Sequence, residues 1–501
     1  MKGVVAAGHA LTAEAGAGVL REGGNAVDAA IAAVLASFAV ESPLTGLGAG
    51  GYMMVHRGGE TRLIDFFVAA PGLDGVERRT ELAAVPVHFD AETVQTFFVG
   101  PASCGVPGTP AGLVRVLELF GSMPLQDLVD PAVGLARRGA PVNAEQAYIL
   151  EILAPIHERL AGTRELYAPR GERLREGDEF RFAELADSLE RFGAEGSEPF
   201  YRGDVAAALS DFVVDNGGTL GRQDLASYEA IERVPIATPF RGTQVLTNPP
   251  PSSGGILIAY SLGLLERLGE RSGPRQLVAA MGAANELRDL EFAAALYEEG
   301  MEAGLLEPAA LDLAATDLLG STTHVSAIDA DGTCAAVTCS NGSGSGVLVP
   351  GTGVILNNML GEEDLNPLGF HKIAPGRRVP SMMSPTIVLR DNEIVLGLGS
   401  AGSNRIRSAI LQTVVRAVEQ ALPVEAAIAA PRLHYEHGLV QAEPGIDEAD
   451  LDRIEASGLE LARRPQINLF FGGVQAVARD PQTGVLSGGG DPRRGGAVAR
   501  A

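Results

Sequence analysis

The hydrophobic pattern of this chain changes rhythm near residue 320. Ahead of that point the pattern is mostly helical. After it, short apolar runs separated by turn residues read as strands. Residues 8–22 form the first predicted helix, stopped by Gly23-Gly24, and Asn25 is placed to cap the next, over 26–41. Residues 52–57 and 61–67, joined through Gly58-Gly59, read as a hairpin. A helix starts near residue 111 and helices carry the chain to about 235, with one over 202–216 ended by Gly217-Gly218. Runs 234–240 and 243–246 are strand-like, and the rigid turn 248–255 leads into a helix over 256–268. Helices continue to about 305, and a short one is predicted over 311–319. Strands are then predicted at 323–329, 334–339, 353–357, 386–390 and 393–398, helices at 403–421 and 424–430, and a further strand at 474–479. The tail after Asp491 is the one stretch that reads as disordered. Strands at both ends with helices between predict an α+β chain whose halves share one sheet system.

Composition narrows the classes. The 501 residues, 46% hydrophobic and 20% charged, suit a globular protein with a large core. A formal charge of -24 with no long basic run argues against nucleic acid or an anionic membrane as partner. The most apolar segment, 29–40, is too short to span a bilayer. No signal peptide is visible at the N-terminus, so the expected location is cytoplasmic. Cys104, Cys334 and Cys339 are too scattered for a disulfide framework and are expected to be small buried hydrophobes. His434-Tyr435-Glu436-His437 resembles a metal pair, but Pro431 and Gly438 bracket it as irregular chain, and a site needs three or four converging ligands. No metal or cofactor is expected.

The candidate chemistry lies where the rhythm changes. Gly320 to Gly332 reads as a turn, a strand and an Asp-Gly hairpin turn, with Thr322 near its start. A threonine hydroxyl needs an adjacent base to act as a nucleophile, and its own α-amine can be that base if the chain is cut just before it. The candidate cut is between Ser321 and Thr322. By itself Thr322-Thr323-His324 reads as readily as the start of a buried strand. Two glycine-rich runs compete for attention. Gly46 to Gly51 lacks the ending of a phosphate loop and reads as close backbone packing. Gly397-Leu398-Gly399-Ser400-Ala401-Gly402 fits the dinucleotide fingerprint, placed after a strand and before a helix, but no clear acidic residue follows at the required distance. A non-catalytic or dinucleotide-binding protein is therefore one alternative.

Several motifs in order carry a resemblance: Glu22-Gly23-Gly24-Asn25-Ala26-Val27-Asp28, Val106-Pro107-Gly108-Thr109, Pro249-Pro250-Pro251-Ser252-Ser253-Gly254-Gly255, Thr322-Thr323-His324, Leu356-Asn357-Asn358 and Met383-Ser384-Pro385-Thr386. Over nearly its whole length the chain resembles the γ-glutamyltranspeptidases, members of the N-terminal-nucleophile hydrolases. The resemblance implies a four-layer αββα sandwich. It also implies a precursor that cleaves itself into subunits 1–321 and 322–501, which would be each other's partners, with a homo-oligomer left open. It makes Thr322 the nucleophile, Ser340 the hydroxyl that bonds the nucleophile's amine, and Gly402 and Ser403 the N–H donors of an oxyanion hole. It points to Asn341, Glu362 and Ser381 for substrate binding, and to His324 as support for Thr322 or for strand packing.

The departures from the family pattern bear on the substrate. The family's carboxylate-gripping Arg is Phe67 here, the second of its paired serines is Met382, and Met359 stands where a residue is expected to help bind the α-amine. The resemblance thus implies cleavage, with transfer as a further option, of a γ-glutamyl or related acyl group from a small amide or peptide. A cephalosporin- or glutaryl-type acylase on the same scaffold is the other alternative. Arg377 and Arg378 are expected near the site as substitutes for the lost Arg, and the short segment between Glu362 and Ser381 predicts an open cleft.

Overall fold

The computed structural model describes residues 1–88, 94–298, 300–306 and 322–501. The helix expected over 311–319, together with Gly320 and Ser321, lies outside the described residues.

Helix Ala10–Glu22 begins where the His9 ring accepts the Leu11 N–H, and it ends at Gly23, whose φ of 103° suits glycine. Helix Ala26–Val40 opens with a reciprocal cap: the Asn25 side chain accepts the N–H groups of Val27 and Asp28, and Asp28 accepts the N–H of Asn25. All 15 residues of this helix are buried. It has no polar face because it has no solvent face. It packs between helices Ala10–Glu22 and Leu125–Arg138 on the outside and strands Thr323–Asp329 and Cys334–Ser340 on the inside.

Among the described residues two large antiparallel sheets form the centre. The first runs in the order Ala497–Arg500, Gly3–Ala7, Thr323–Asp329, Cys334–Ser340, Gly50–Arg57, Glu60–Phe66 and Ile231–Arg233. The second runs Leu486–Gly490, Gly473–Arg479, Glu393–Ala401, Thr386–Arg390, Thr243–Thr247 and Ile236–Phe240. Strand alternation divides the core. Val5, Val55, Ala327 and Val337 pack under the helices, whereas Val4, Met54, Leu63 and Ile328 face the second sheet. Helices Ser253–Leu268 and Arg405–Val414 cover that sheet's outer face. This is the expected four-layer αββα sandwich. Each sheet contains strands from both sides of residue 322, so the first 306 residues and the last 180 share their hydrogen-bond ladders.

Three expectations are corrected. The tail is ordered by pairing: Ala497–Arg500 forms the edge of the first sheet against Gly3–Ala7. The strand expected at 353–357 contracts to Val354–Ile355, a short pair with Leu348–Val349. The strand expected at 393–398 continues to Ala401, because Gly473–Arg479 pairs with it along its length.

Candidate active site

Sheet register brings the first candidate residues together. Thr323 lies opposite Cys339, which sets Thr322 beside Ser340 at the end of the two central strands. The Thr322 hydroxyl points to Ser340 Oγ at 3.5 Å, a loose contact, and Ser340 Oγ accepts the Gly342 N–H at 2.9 Å. Thr322 is only 4% exposed. Among the described residues the expected open cleft is therefore not found around Thr322. The cavity at Thr322 measures about 30 Å³, room for about two waters.

The residue after Thr322 is anchored by a group that sequence reading missed. Thr323 Oγ1 donates to Glu41 Oε2 at 2.6 Å, and Thr12 Oγ1 donates to Glu41 Oε1 at 2.8 Å. Burial raises the Glu41 carboxyl above its ordinary 4.5 despite these bonds. Its one sequence signal was a carboxyl placed at the end of a largely apolar run.

His324 belongs to strand packing. Its Nδ1 meets Thr338 Oγ1 at 2.7 Å and its Nε2 meets Ser326 Oγ at 2.9 Å, on the face turned to the second sheet. Burial pushes its pKa down to about 3, so the ring is neutral.

The cavity wall has a polar and an apolar part. Glu362, Asp364, Ser381 and Ser403 share it with Thr322 and Ser340, while Phe67, Met359 and Met382 line it with hydrocarbon and thioether. Glu362 accepts the Ser343 N–H at 3.0 Å. Burial first, and the neighbouring Asp364 second, raise its carboxyl above the ordinary range. Asp364 accepts from Ser403 Oγ at 2.8 Å and is also raised by burial. Asn341 is not brought to the cavity. Its fully buried side chain sits against Gly46, with neither polar atom partnered among the described residues, and Gly342 takes the lining position instead.

The turn at Gly402 and Ser403 joins strand Glu393–Ala401 to helix Arg405–Val414. Gly402 has φ 121°, and a Cβ there would meet Gly472 Cα at 2.9 Å. Ser403 has φ 53° and lines the cavity just ahead of the helix start, where the positive end of the helix dipole favours an anion. The dinucleotide reading fails on the same segment. Gly397 and Gly399 are paired strand residues, opposite Val477 and Gln475, not a phosphate-binding loop.

Arg377 and Arg378, expected near the site, are engaged elsewhere. Phe67 is buried, stacked on Tyr52 with ring centres 5.5 Å apart. Arg378 pairs with Asp65 at 3.3 Å and lies over the Tyr228 ring, and Arg377 lies over Tyr297. Among the described residues no Arg or Lys lines the Thr322 cavity. The two histidines of the candidate metal pair are placed differently. His434 lies in strand Leu433–Glu436, bonded to Ser408 and Glu436, and His437 lies beyond the strand end with φ 50°. The three cysteines are buried as expected, and burial raises each thiol. Beyond Asp364 and Met382 opens a larger chamber of about 720 Å³, walled by Leu290, Phe292 and Phe370 with Arg288 and His437 at its edge.

Comparison with known proteins agrees with this geometry. The family model described as gamma-glutamyltranspeptidase matches residues 12–501. The chain is 33% identical over 540 residues to the glutathione hydrolase proenzyme of Escherichia coli (strain K12), covering 98% of this chain and 90% of that protein. It is 32% identical over 514 residues to the acylase ACY 1 proenzyme of Pseudomonas sp. (strain SE83), covering 97% and 91%. Among solved structures, the cephalosporin acylase from Bacillus halodurans superposes with a TM-score of 0.84 at 26% identity, covering 100% of this chain and 96% of that one.

Proposed function

Within the gamma-glutamyltranspeptidase family, to which the chain belongs, we propose that this protein is a self-processing threonine amidohydrolase whose acyl group lacks the usual α-carboxylate. The carrying observation is the set of residues in one cavity: Thr322 beside Ser340, Ser403 opposite, and Phe67 and Met382 where a carboxylate clamp would stand.

In this reading the chain is cut between Ser321 and Thr322 into segments 1–321 and 322–501. The freed α-amine of Thr322 takes the hydroxyl proton while Oγ1 attacks the substrate's amide carbonyl. Ser340 orients that amine. The N–H groups of Gly402 and Ser403 hold the oxyanion that forms, the role for which preorganised backbone donors at a helix start are suited. The amine product leaves with the proton, and water then releases the acyl group from Thr322.

A second reading, an acylase for bulkier side-chain amides, is favoured by the chamber of about 720 Å³ that shares the Asp364 and Met382 walls with the Thr322 cavity. Denaturing electrophoresis with mass measurement tests the common core of both. Two fragments, the second starting at Thr322, are expected. A chain that stays intact and still hydrolyses amides would overturn the proposal. Anilides of γ-glutamyl, glutaryl and longer acyl groups then separate the two readings.

A further inference from the structure

We infer that Arg494 supplies the fixed positive charge of the Thr322 site, acting on the oxyanion through the Gly402–Ser403 turn and on the base through Glu41. The inference rests on the amidohydrolase reading above and adds a positioning residue to it.

The loop that carries Arg494 is built to hold it in place. Pro492–Arg494 forms one short 3₁₀ turn between strands Leu486–Gly490 and Ala497–Arg500. Asp491 caps that turn, accepting the Arg493 N–H at 3.0 Å, and its carbonyl accepts the N–H groups of Arg494 and Gly496. The Asp491 carboxylate is fixed in turn by Arg432 and by the Val474 N–H. Arg493 is paired with Glu443 and Asp491. Arg494 is not tied in this way. Its stem lies on Gly473, where a Cβ would come within 2.5 Å of Arg494 Cδ. Among the described residues its Nε is buried without a partner. A buried cation without a bonded partner costs stability, so a role beyond packing is sought for it.

Two parts of the site meet its charge. A Cβ on Gly402 would lie 3.6 Å from Arg494 Nη2, so the guanidinium rests against the turn whose N–H groups hold the oxyanion in the proposed mechanism. Glu41 accepts the Thr323 hydroxyl, one residue from Thr322, and lies within reach of the Arg494 charge. Burial lowers the guanidinium pKa to about 10, which leaves it charged at neutral pH.

The base needs such a charge. The Thr322 α-amine accepts a proton only while it is neutral. Glu362 and Asp364 stand in the cavity wall and Glu41 behind Thr323. Each of these, when ionised, favours the protonated amine. Among the described residues no Arg or Lys lines the cavity. Arg288 and Arg405 face Asp364, with Glu436 against them, and His324 is neutral. Arg494 is the cation that faces Glu41. The other carboxylate acting on Arg494 is Asp491, already engaged by Arg432 and Arg493, and Arg405 repels it. The Arg494 charge therefore works twice in one direction: it disfavours the protonated amine and favours the oxyanion.

The test compares the self-processed wild type with Arg494→Gln and Arg494→Lys, on whichever of the γ-glutamyl, glutaryl and longer acyl p-nitroanilides the wild type turns over. In Arg494→Gln, kcat is expected to fall by about 10- to 100-fold with KM changed less than about threefold, a smaller loss than that of a direct oxyanion donor. The ascending limb of kcat against pH should move up by about 0.6–1.2 units, the effect of one charge about 10 Å away at an effective dielectric of about 20–40. Arg494→Lys keeps the charge and should stay within about threefold of wild type with its limb in place, because no planar two-pronged bond has to be rebuilt. A purely structural Arg494 would change yield or stability and leave the limb where it is. An unmoved limb or wild-type kcat in Arg494→Gln overturns the inference, as does Arg494→Lys being no better than Arg494→Gln. If Arg494→Gln does not mature, Arg494→Lys decides: wild-type kcat and limb uphold the inference, and failed maturation or lowered kcat overturns it. A self-processed wild type that turns over none of the anilides overturns the amidohydrolase reading as well.

Discussion

Ser403 holds Asp364 in the wall of the Thr322 cavity: its hydroxyl donates to Asp364 Oδ2 at 2.8 Å while its backbone sits at φ 53°. The two facts pull in opposite directions. The left-handed backbone costs a non-glycine residue about 1–2 kcal/mol, and a hydrogen bond to a carboxyl returns about 1.5–3 kcal/mol when the carboxyl is charged.

Ser403→Gly should relieve the first and lose the second. The expected net effect is a loss of about 1 kcal/mol in unfolding free energy, with self-cleavage retained because the backbone N–H remains. Denaturant unfolding of the two proteins measures it. A gain in stability would show that the Asp364 bond contributes little.

Glu41 supports the nucleophile strand through Thr323, so its removal should act on stability and on maturation together. Glu41→Ala leaves the Thr12 and Thr323 hydroxyls without their buried acceptor, at about 1–3 kcal/mol each. Glu41→Gln keeps both bonds and should cost far less. The pH dependence separates charge from packing. Burial raises the folded carboxyl above 4.5, so the folded state binds the proton more tightly than the unfolded chain. Stability from this group is full below the unfolded value and falls as pH rises through the folded one. In Glu41→Gln that decline should vanish. If wild type and Glu41→Gln keep parallel stability curves above about pH 4.5, the carboxyl is not raised.

Much of the fold could be read from local chemistry, because caps and stops act within a few residues. Asn25 with Asp28 and the left-handed Gly23 mark their helix ends without help from the rest of the chain. Pairing across sheets is not local. The tail 497–500 and the extension of a strand to Ala401 depend on partners hundreds of residues away or on another strand's length. The same limit turned Gly397 and Gly399 into an apparent nucleotide loop. Motif order put Thr322, Ser340, Glu362 and Ser403 at one site, and these four line one cavity, whereas Gly342 and not Asn341 is in its wall. Glu41 was hidden because its partners, Thr12 and Thr323, lie 29 and 282 residues away.

Thr322→Ala and Thr322→Ser should part company. Alanine removes the attacking oxygen, so the chain should stay at full length and turn nothing over. Serine keeps oxygen and amine but not the methyl group that fixes the rotamer, so cutting and turnover should persist at reduced rate. Electrophoresis over time and a single anilide assay follow both. Turnover by Thr322→Ala would place the nucleophile elsewhere.

His324 offers the last prediction, because it sits two residues from Thr322, the proposed nucleophile, and invites assignment as its base. Its ring is enclosed between Thr338 and Ser326, and burial lowers its pKa from 6.5 to about 3. A lowered histidine pKa means the unfolded chain binds the proton first. The stability it supports is complete above 6.5 and is lost as pH falls from there toward 3. At about pH 5 the loss should reach about 2 kcal/mol. His324→Gln, which can still accept from one hydroxyl and donate to the other, should flatten that acid decline. Turnover should change little, since removing a general base costs about 10²–10⁴-fold, and the base in this mechanism is the α-amine, with an ordinary pKa of about 7.7–8.0. The ascending limb of kcat against pH should therefore survive in His324→Gln. Its disappearance, with a loss of that size, would return the proton to His324.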